Sequence, residues 1–164
     1  MAKNMSAQGG SASGGKRIAI NGFGRIGRAA FKVALTKKNL KVVAINDLTT
    51  TKMLAYLLRY DTVYGRYDKK VESTKDGVKV DGVFYPVLQE KNPAKLPWQK
   101  MKVDVVLECT GHFTSSEAAQ GHLKSGAKRV IISALAKDET TQTLVYGTDY
   151  SSDCLKKGKC DKII

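Results

Sequence analysis

The sequence predicts an α/β fold: a doubly wound, mainly parallel sheet into which an antiparallel hairpin is inserted. Three observations carry that expectation. From Lys16 onward, short apolar runs alternate with segments of helical spacing, as a sheet covered on both faces requires. A glycine-rich turn, Gly22-Phe23-Gly24-Arg25-Ile26-Gly27, joins the first apolar run to the first helical segment. Later, two β-type runs are separated by Asp81-Gly82, the two-residue turn of a hairpin.

Taken in order, residues 17–20 form the first strand. Ile26, Ala30 and Val33 recur at helical spacing and are expected on the core side of the first helix. Residues 41–45 form the second strand. Leu54, Leu57 and Leu58 mark one face of a second helix, with a threonine among residues 49–51 as its N-cap. Residues 77–80 and 83–87 flank the Asp81-Gly82 turn. Pro86 cannot donate to a ladder, so its strand is expected to lie at an edge or to stop there. Residues 103–107 return to the buried sheet. Thr114 followed by Glu117 reads as a capping box opening a helix to about Ser125, with Gly126 as its stop. Residues 129–132, 143–146 and 162–164 are the remaining short strands.

Residues 1–15 are rich in Ser, Ala and Gly without an apolar run, and are expected to be a disordered leader ahead of one domain over 16–164. A domain of about 150 residues buries roughly 68–70% of its unfolded surface, so a chain of 164 residues needs no staples. No apolar segment has the pattern of a signal peptide or the length of a membrane span. Cys109, Cys154 and Cys160 show no CxxC spacing and there are only 2 histidines, so neither a disulfide framework nor a metal site is indicated. A reducing cytoplasm is the expected compartment.

Lys and Arg number 28 against 15 acids, a net charge of +13. The lysines are scattered and do not form a stripe with interleaved aromatics, so a nucleic-acid partner is not expected. The excess charge instead suits a solvated basic surface that draws in an anionic small molecule.

The glycine turn has a physical reading, position by position. Gly22 permits the tight turn off the first strand, Gly24 lets bare backbone approach a pyrophosphate, and Gly27 allows close helix–sheet packing. The unpaired N–H groups of Arg25, Ile26 and Gly27 open the helix, where the dipole favours an anion by roughly 0.3–1 kcal/mol. Asp47 stands 20 residues beyond Gly27, at the end of the second apolar run, where a carboxylate accepts ribose hydroxyls. The constellation is that of a Rossmann dinucleotide site. A 2′-phosphate beside Asp47 would cost up to about 4 kcal/mol at 4 Å with an effective dielectric of about 20, so NAD is expected over NADP.

Asn21-Gly22-Phe23-Gly24-Arg25-Ile26-Gly27-Arg28, with Asn46-Asp47, Tyr60-Asp61, Glu108-Cys109-Thr110-Gly111 and the run from Gly126 to Ala134, resembles phosphorylating glyceraldehyde-3-phosphate dehydrogenases. The match extends from Lys16 to Ile164. The resemblance implies an NAD-binding Rossmann domain and, for the complete enzyme, a homotetramer that oxidises and phosphorylates glyceraldehyde 3-phosphate in glycolysis. It implies that Arg25 and Ile26 meet the pyrophosphate and that Asp47 takes the adenosine ribose. Lys91 belongs to the adenine-side loop, where the family usually has arginine. Thr110, Gly111 and Phe113 lie beside adenine and its ribose, and Ser133 near the nicotinamide. Leu135 replaces a common proline. Arg28 is expected in a structural salt bridge or in solvent, His112 and His122 as surface or helix residues, and Cys109 in packing.

In the family the nucleophile lies in a Ser-Asn-Ala-Ser-Cys-Thr-Thr-Asn segment directly after the strand corresponding to residues 161–164, and the sequence ends at Ile164. No catalytic residue is therefore assigned, and the expectation is a cofactor-holding half that binds NAD without oxidising substrate. Two other readings are a free-standing nucleotide- or RNA-binding module and one half of a split enzyme.

Overall fold

Strand β1 (Lys16–Asn21) runs through the interior of a seven-stranded sheet in a computed structural model that describes residues 15–148 and 160–164. The expected leader, apart from Gly15, lies outside the described residues, as does Cys154. Helix α1 (Arg25–Leu35) crosses to β2 (Leu40–Asn46), which pairs parallel with β1. After α2 (Thr51–Arg59) come the two-residue strands β3 (Tyr60–Asp61) and β4 (Gly65–Arg66), then β5 (Val71–Thr74), β6 (Gly77–Val80) and β7 (Val83–Leu88). A single 3-10 turn at Pro93–Lys95 leads to β8 (Val105–Glu108), helix α3 (Ser116–Lys124) and β9 (Arg129–Ile132).

The strand order is β5-β6-β7-β2-β1-β8-β9. Within this sheet β2·β7, β1·β2, β1·β8 and β8·β9 are parallel and β5·β6 and β6·β7 antiparallel, while β3 and β4 form a separate antiparallel pair. This is the doubly wound sheet with an antiparallel insertion that the sequence predicts. Two cores form on its opposite faces because successive strand side chains alternate: Ile20 packs with Phe31, Leu54 and Leu58, whereas Ala19 packs with Trp98, Val106 and Ala119. The first core gathers α1 and α2, the second α3.

Several local expectations are corrected. On α1 the buried residues are Gly27, Arg28, Phe31 and Ala34, while Ile26 and Val33 are 57% and 56% exposed. Both sets satisfy helical spacing, and the bulkier aromatic decides the rotation. Phe31 lies edge-on against Phe23 at 5.3 Å and Tyr85 at 5.0 Å. Strand β7 is interior, between β6 and β2, despite Pro86. The Val87 N–H donates to Asp76 O on the β6 side, so the Pro86 nitrogen points towards β2, short of the Ile45–Val87 pair where that ladder begins.

The cap of α3 is Ser115, whose side chain accepts from the Ala118 N–H, and Thr114 is buried one position earlier. Residues 143–146 form no strand: Val145 and Tyr146 are 63% and 93% exposed. Residues 162–164 do join the sheet through an Ile163–Val130 parallel bridge. Cys160 is disulfide-bonded, contrary to the expectation from cysteine spacing, and Cys109 is a free thiol.

The hairpin turn is as expected, with Asp81 at φ 48° and Gly82 at φ 80°, the left-handed pair of a type I′ turn. Thr50 caps α2, accepting from the Met53 N–H at 3.3 Å. Strand β5 escapes the sequence pattern because Val71 is its only apolar residue.

Candidate functional site

The winding changes direction at β1, whose neighbours β2 and β8 carry the chain to opposite sides of the sheet. A crevice opens at the carboxyl ends of such strands. Gly22 turns off β1 at φ +88°, and a Cβ there would come within 2.7 Å of the Thr110 nitrogen. Gly27 is equally constrained, since its Cβ would lie 2.0 Å from the Gly22 oxygen. Gly24 differs. It is the N-cap of α1, with no side chain to cap the helix, no acid in the first turn, and no atom within 4 Å of an added Cβ. The N–H groups of Arg25, Ile26 and Gly27 therefore open the helix without a side-chain cap, next to the space over Gly24.

Asp47 follows β2 and is held from both sides. Its Oδ2 accepts from the Phe23 N–H at 2.7 Å and its Oδ1 from the Thr49 N–H at 2.8 Å. The carboxylate thus ties the glycine turn to the loop after β2, placing a fixed negative charge beside the helix terminus.

Together these segments border a cavity of about 980 Å³. Of the residues singled out from the sequence, Gly22, Gly24, Asp47, Lys91, Thr110 and Phe113 line it. Arg25, Ile26 and Gly27 form the helix head beside it, whereas Gly111 and Ser133 are not among its lining residues. Gly111 turns at φ +74°, and the Ser133 N–H donates to Glu108 O at 3.0 Å. Sequence reading gave no site role to Asn21, Asn46, Leu48, Lys95 and His112, which also line the cavity, as do Glu90, Asn92 and Pro93 of the Lys91 loop. The available signal was positional: Asn21 and Asn46 each end an apolar strand, where a polar side chain meets the crevice.

A buried polar network lies beneath the cavity. Glu108, 1% exposed, accepts from the Asn21 amide at 2.5 Å and pairs with His122 Nε2 at 3.0 Å through Oε2. Its Oε1 accepts from the Thr110 N–H at 2.8 Å and from the Thr110 hydroxyl. His122 lies on α3 as expected of a helix residue, yet it is fully buried, with Trp98 Nε1 donating to its Nδ1 at 3.0 Å. Phe113 sets its ring edge-on to His122 at 6.2 Å.

Arg28 is neither in solvent nor in a salt bridge. It is buried, its Nη1 donates to Phe23 O at 3.0 Å, its Nε has no partner, and burial lowers its pKa against the raising influence of Asp61 and Asp47. Burial also pushes the Cys109 thiol up, offset in part by the Ser133 side chain. Among the described residues no group of three or more His, Cys, Asp and Glu could hold a metal ion.

A glycine-capped helix terminus at a switch point, facing a large cavity with an acid at the end of the neighbouring strand, defines a dinucleotide-binding domain of the Rossmann class. The sequence pattern described as "Glyceraldehyde 3-phosphate dehydrogenase, NAD binding domain" matches residues 16–116. The chain is 49% identical over 134 residues to glyceraldehyde-3-phosphate dehydrogenase of Mycoplasma pneumoniae, covering 82% of this chain and 40% of that protein. It is 47% identical over 135 residues to glyceraldehyde-3-phosphate dehydrogenase 1 of Trichormus variabilis and to that of a Nostoc species, covering 82% of this chain and 39% of each. The chain belongs to the glyceraldehyde-3-phosphate dehydrogenase family and carries its NAD-binding domain. It spans about two fifths of the length of the curated relatives it matches. The match favours a cofactor domain over a free-standing RNA-binding module.

Proposed function

We propose that the crevice holds NAD with its pyrophosphate on the N–H groups of Arg25, Ile26 and Gly27 and its adenosine ribose on Asp47. The observation that carries this reading is Gly24: the chain leaves the helix terminus uncapped and the space over it empty. Lys91, Thr110, Gly111 and Phe113 take the adenine side, and Ser133 the nicotinamide side. NAD supplies a hydride acceptor when bound. The chain's own residues bind and orient it, with Asp47 disfavouring a 2′-phosphate by like charge.

Within this reading the chain, as the domain 16–164, serves the oxidation and phosphorylation of glyceraldehyde 3-phosphate, with the attacking thiolate supplied by the family's cysteine segment. Cys109 is a poor substitute, because burial raises its pKa and lowers its thiolate fraction. The 164 residues incubated with NAD, glyceraldehyde 3-phosphate and phosphate are expected to bind NAD and to produce no NADH. Sustained NADH production would refute the assignment of catalysis to that segment.

We place the protein in the cytoplasm and in a homotetramer. No helix among the described residues is long and apolar enough to cross a membrane. The apolar side chains of Tyr56, Val63 and Tyr64, exposed on α2 and the β3–β4 hairpin, offer surface for subunit contact. Sedimentation of the chain co-expressed with the cysteine-bearing segment tests the assembly.

A further inference from the structure

We propose that His122 is a positioning residue for the cofactor crevice: from outside the cavity it orients the Glu108 carboxylate that fixes the Thr110 loop. The inference rests on the NAD reading of that crevice.

The direction of each hydrogen bond follows from chemistry. An indole nitrogen only donates, so His122 Nδ1, 3.0 Å from Trp98 Nε1, must accept. The ring proton then sits on Nε2 and is donated to Glu108 Oε2 at 3.0 Å. The Asn21 amide donates to the same oxygen at 2.5 Å, leaving Oε1 turned to the Thr110 N–H at 2.8 Å and to its hydroxyl. Asn21 Oδ1 in turn accepts from Asn46 Nδ2 at 2.7 Å, and Asn46 exchanges bonds of 2.8 Å and 2.9 Å with the backbone of Glu90. One buried network therefore joins the segments after β1, β2, β7 and β8, all of which border the cavity.

The Glu108 carboxyl group is buried, and these hydrogen bonds take the place of water around it. Removing the His122 donor frees it to turn towards other donors and releases Thr110. Because Thr110 and Gly22 are in backbone contact range, the glycine turn loosens with it.

Calorimetric titration of the full chain with NAD, with thermal melting alongside, separates positioning from mere core stability. The double variant Trp98→Phe/His122→Leu removes the indole donor and its acceptor together but leaves Glu108 one donor short, so it is expected to melt lower than wild type, and its NAD titration is made at a temperature where the melting curve shows it folded. Its NAD dissociation constant should rise about tenfold, or about 1.4 kcal/mol. His122→Gln, which keeps an N–H able to reach Glu108, should restore near-wild-type affinity. A folded double variant with wild-type affinity overturns the proposal, as does a His122→Gln protein as weak as the double variant. Trp98→Phe alone, which lets the proton move to Nδ1, should weaken NAD severalfold, and unchanged affinity there is equally contrary. Absence of NAD binding by the wild-type chain would instead overturn the crevice reading itself.

Discussion

Gly24 and Gly27 stand three residues apart in the sequence, yet a methyl group would meet opposite surroundings at the two. At Gly27 it would press to 2.0 Å from a backbone oxygen, which no rotamer change relieves. Gly27→Ala is therefore expected to destabilise the domain by about 1–3 kcal/mol, visible as a lowered melting temperature. At Gly24 nothing of the chain lies within 4 Å, so Gly24→Ala should cost at most about 1 kcal/mol, the size of a cap effect. Its defect should appear in NAD titration, because the methyl group occupies the space over the helix terminus. Equal loss of stability in both proteins would contradict this division. Asp47→Asn belongs to the same scale. It removes the charge that repels a 2′-phosphate, so the ratio of NADP to NAD affinity should rise, and an unchanged ratio in paired titrations would remove Asp47 from cofactor discrimination.

At the scale of elements, the opening of α3 depends on a carboxylate. Asp138 Oδ2 accepts from the Ser116 N–H at 2.7 Å, and Oδ1 accepts from the N–H groups of Thr140 and Thr141 at 3.0 Å and 2.6 Å. The Thr141 hydroxyl, foremost, then the Ser116 and Thr141 N–H groups and the Thr140 hydroxyl, hold the carboxyl well below the usual carboxylate range. A pKa lower in the folded than in the unfolded state stabilises the fold above the unfolded value of about 3.9 and is lost as pH falls below it. The stability gap between wild type and Asp138→Ala should therefore be full at neutral pH and shrink steadily as urea melts are moved below about pH 4. A gap that stays constant to low pH would show that the cap does not depend on charge.

Elements also show why parts of the fold were legible and others were not. The Asp81-Gly82 turn and the Gly22–Gly27 turn were readable because a positive φ or a close backbone approach admits few residues. The rotation of α1 was not, since Ile26, Ala30, Val33 and Gly27, Phe31, Ala34 are both valid helical faces, and only Phe23 and Tyr85 across the core select between them. That β7 neither lies at an edge nor stops at Pro86 was hidden for a similar reason: where Pro86 falls in the ladder depends on a partner strand some forty residues away. In the site, residues acting through backbone or charge at the crevice were found. Glu108, His122 and Trp98 were missed because a buried polar triad leaves no periodic trace when its members come from separate elements.

For the whole molecule, the sheet positions the chemistry. Strand order brings the ends of β1, β2, β7 and β8 around one cavity, and the family match assigns that architecture to an NAD-binding domain. The basic balance of 28 cations against 15 acids adds a favourable long-range field for a dinucleotide, so NAD binding should weaken as salt is raised through the physiological range. The most direct measurement is an amide NMR titration of the chain with NAD. Saturable shifts are predicted to concentrate on Gly22 to Gly27, Asp47 and Thr110, with the β5–β6 hairpin strands unmoved. Shifts that do not saturate, or that cluster away from the glycine turn, would contradict the account.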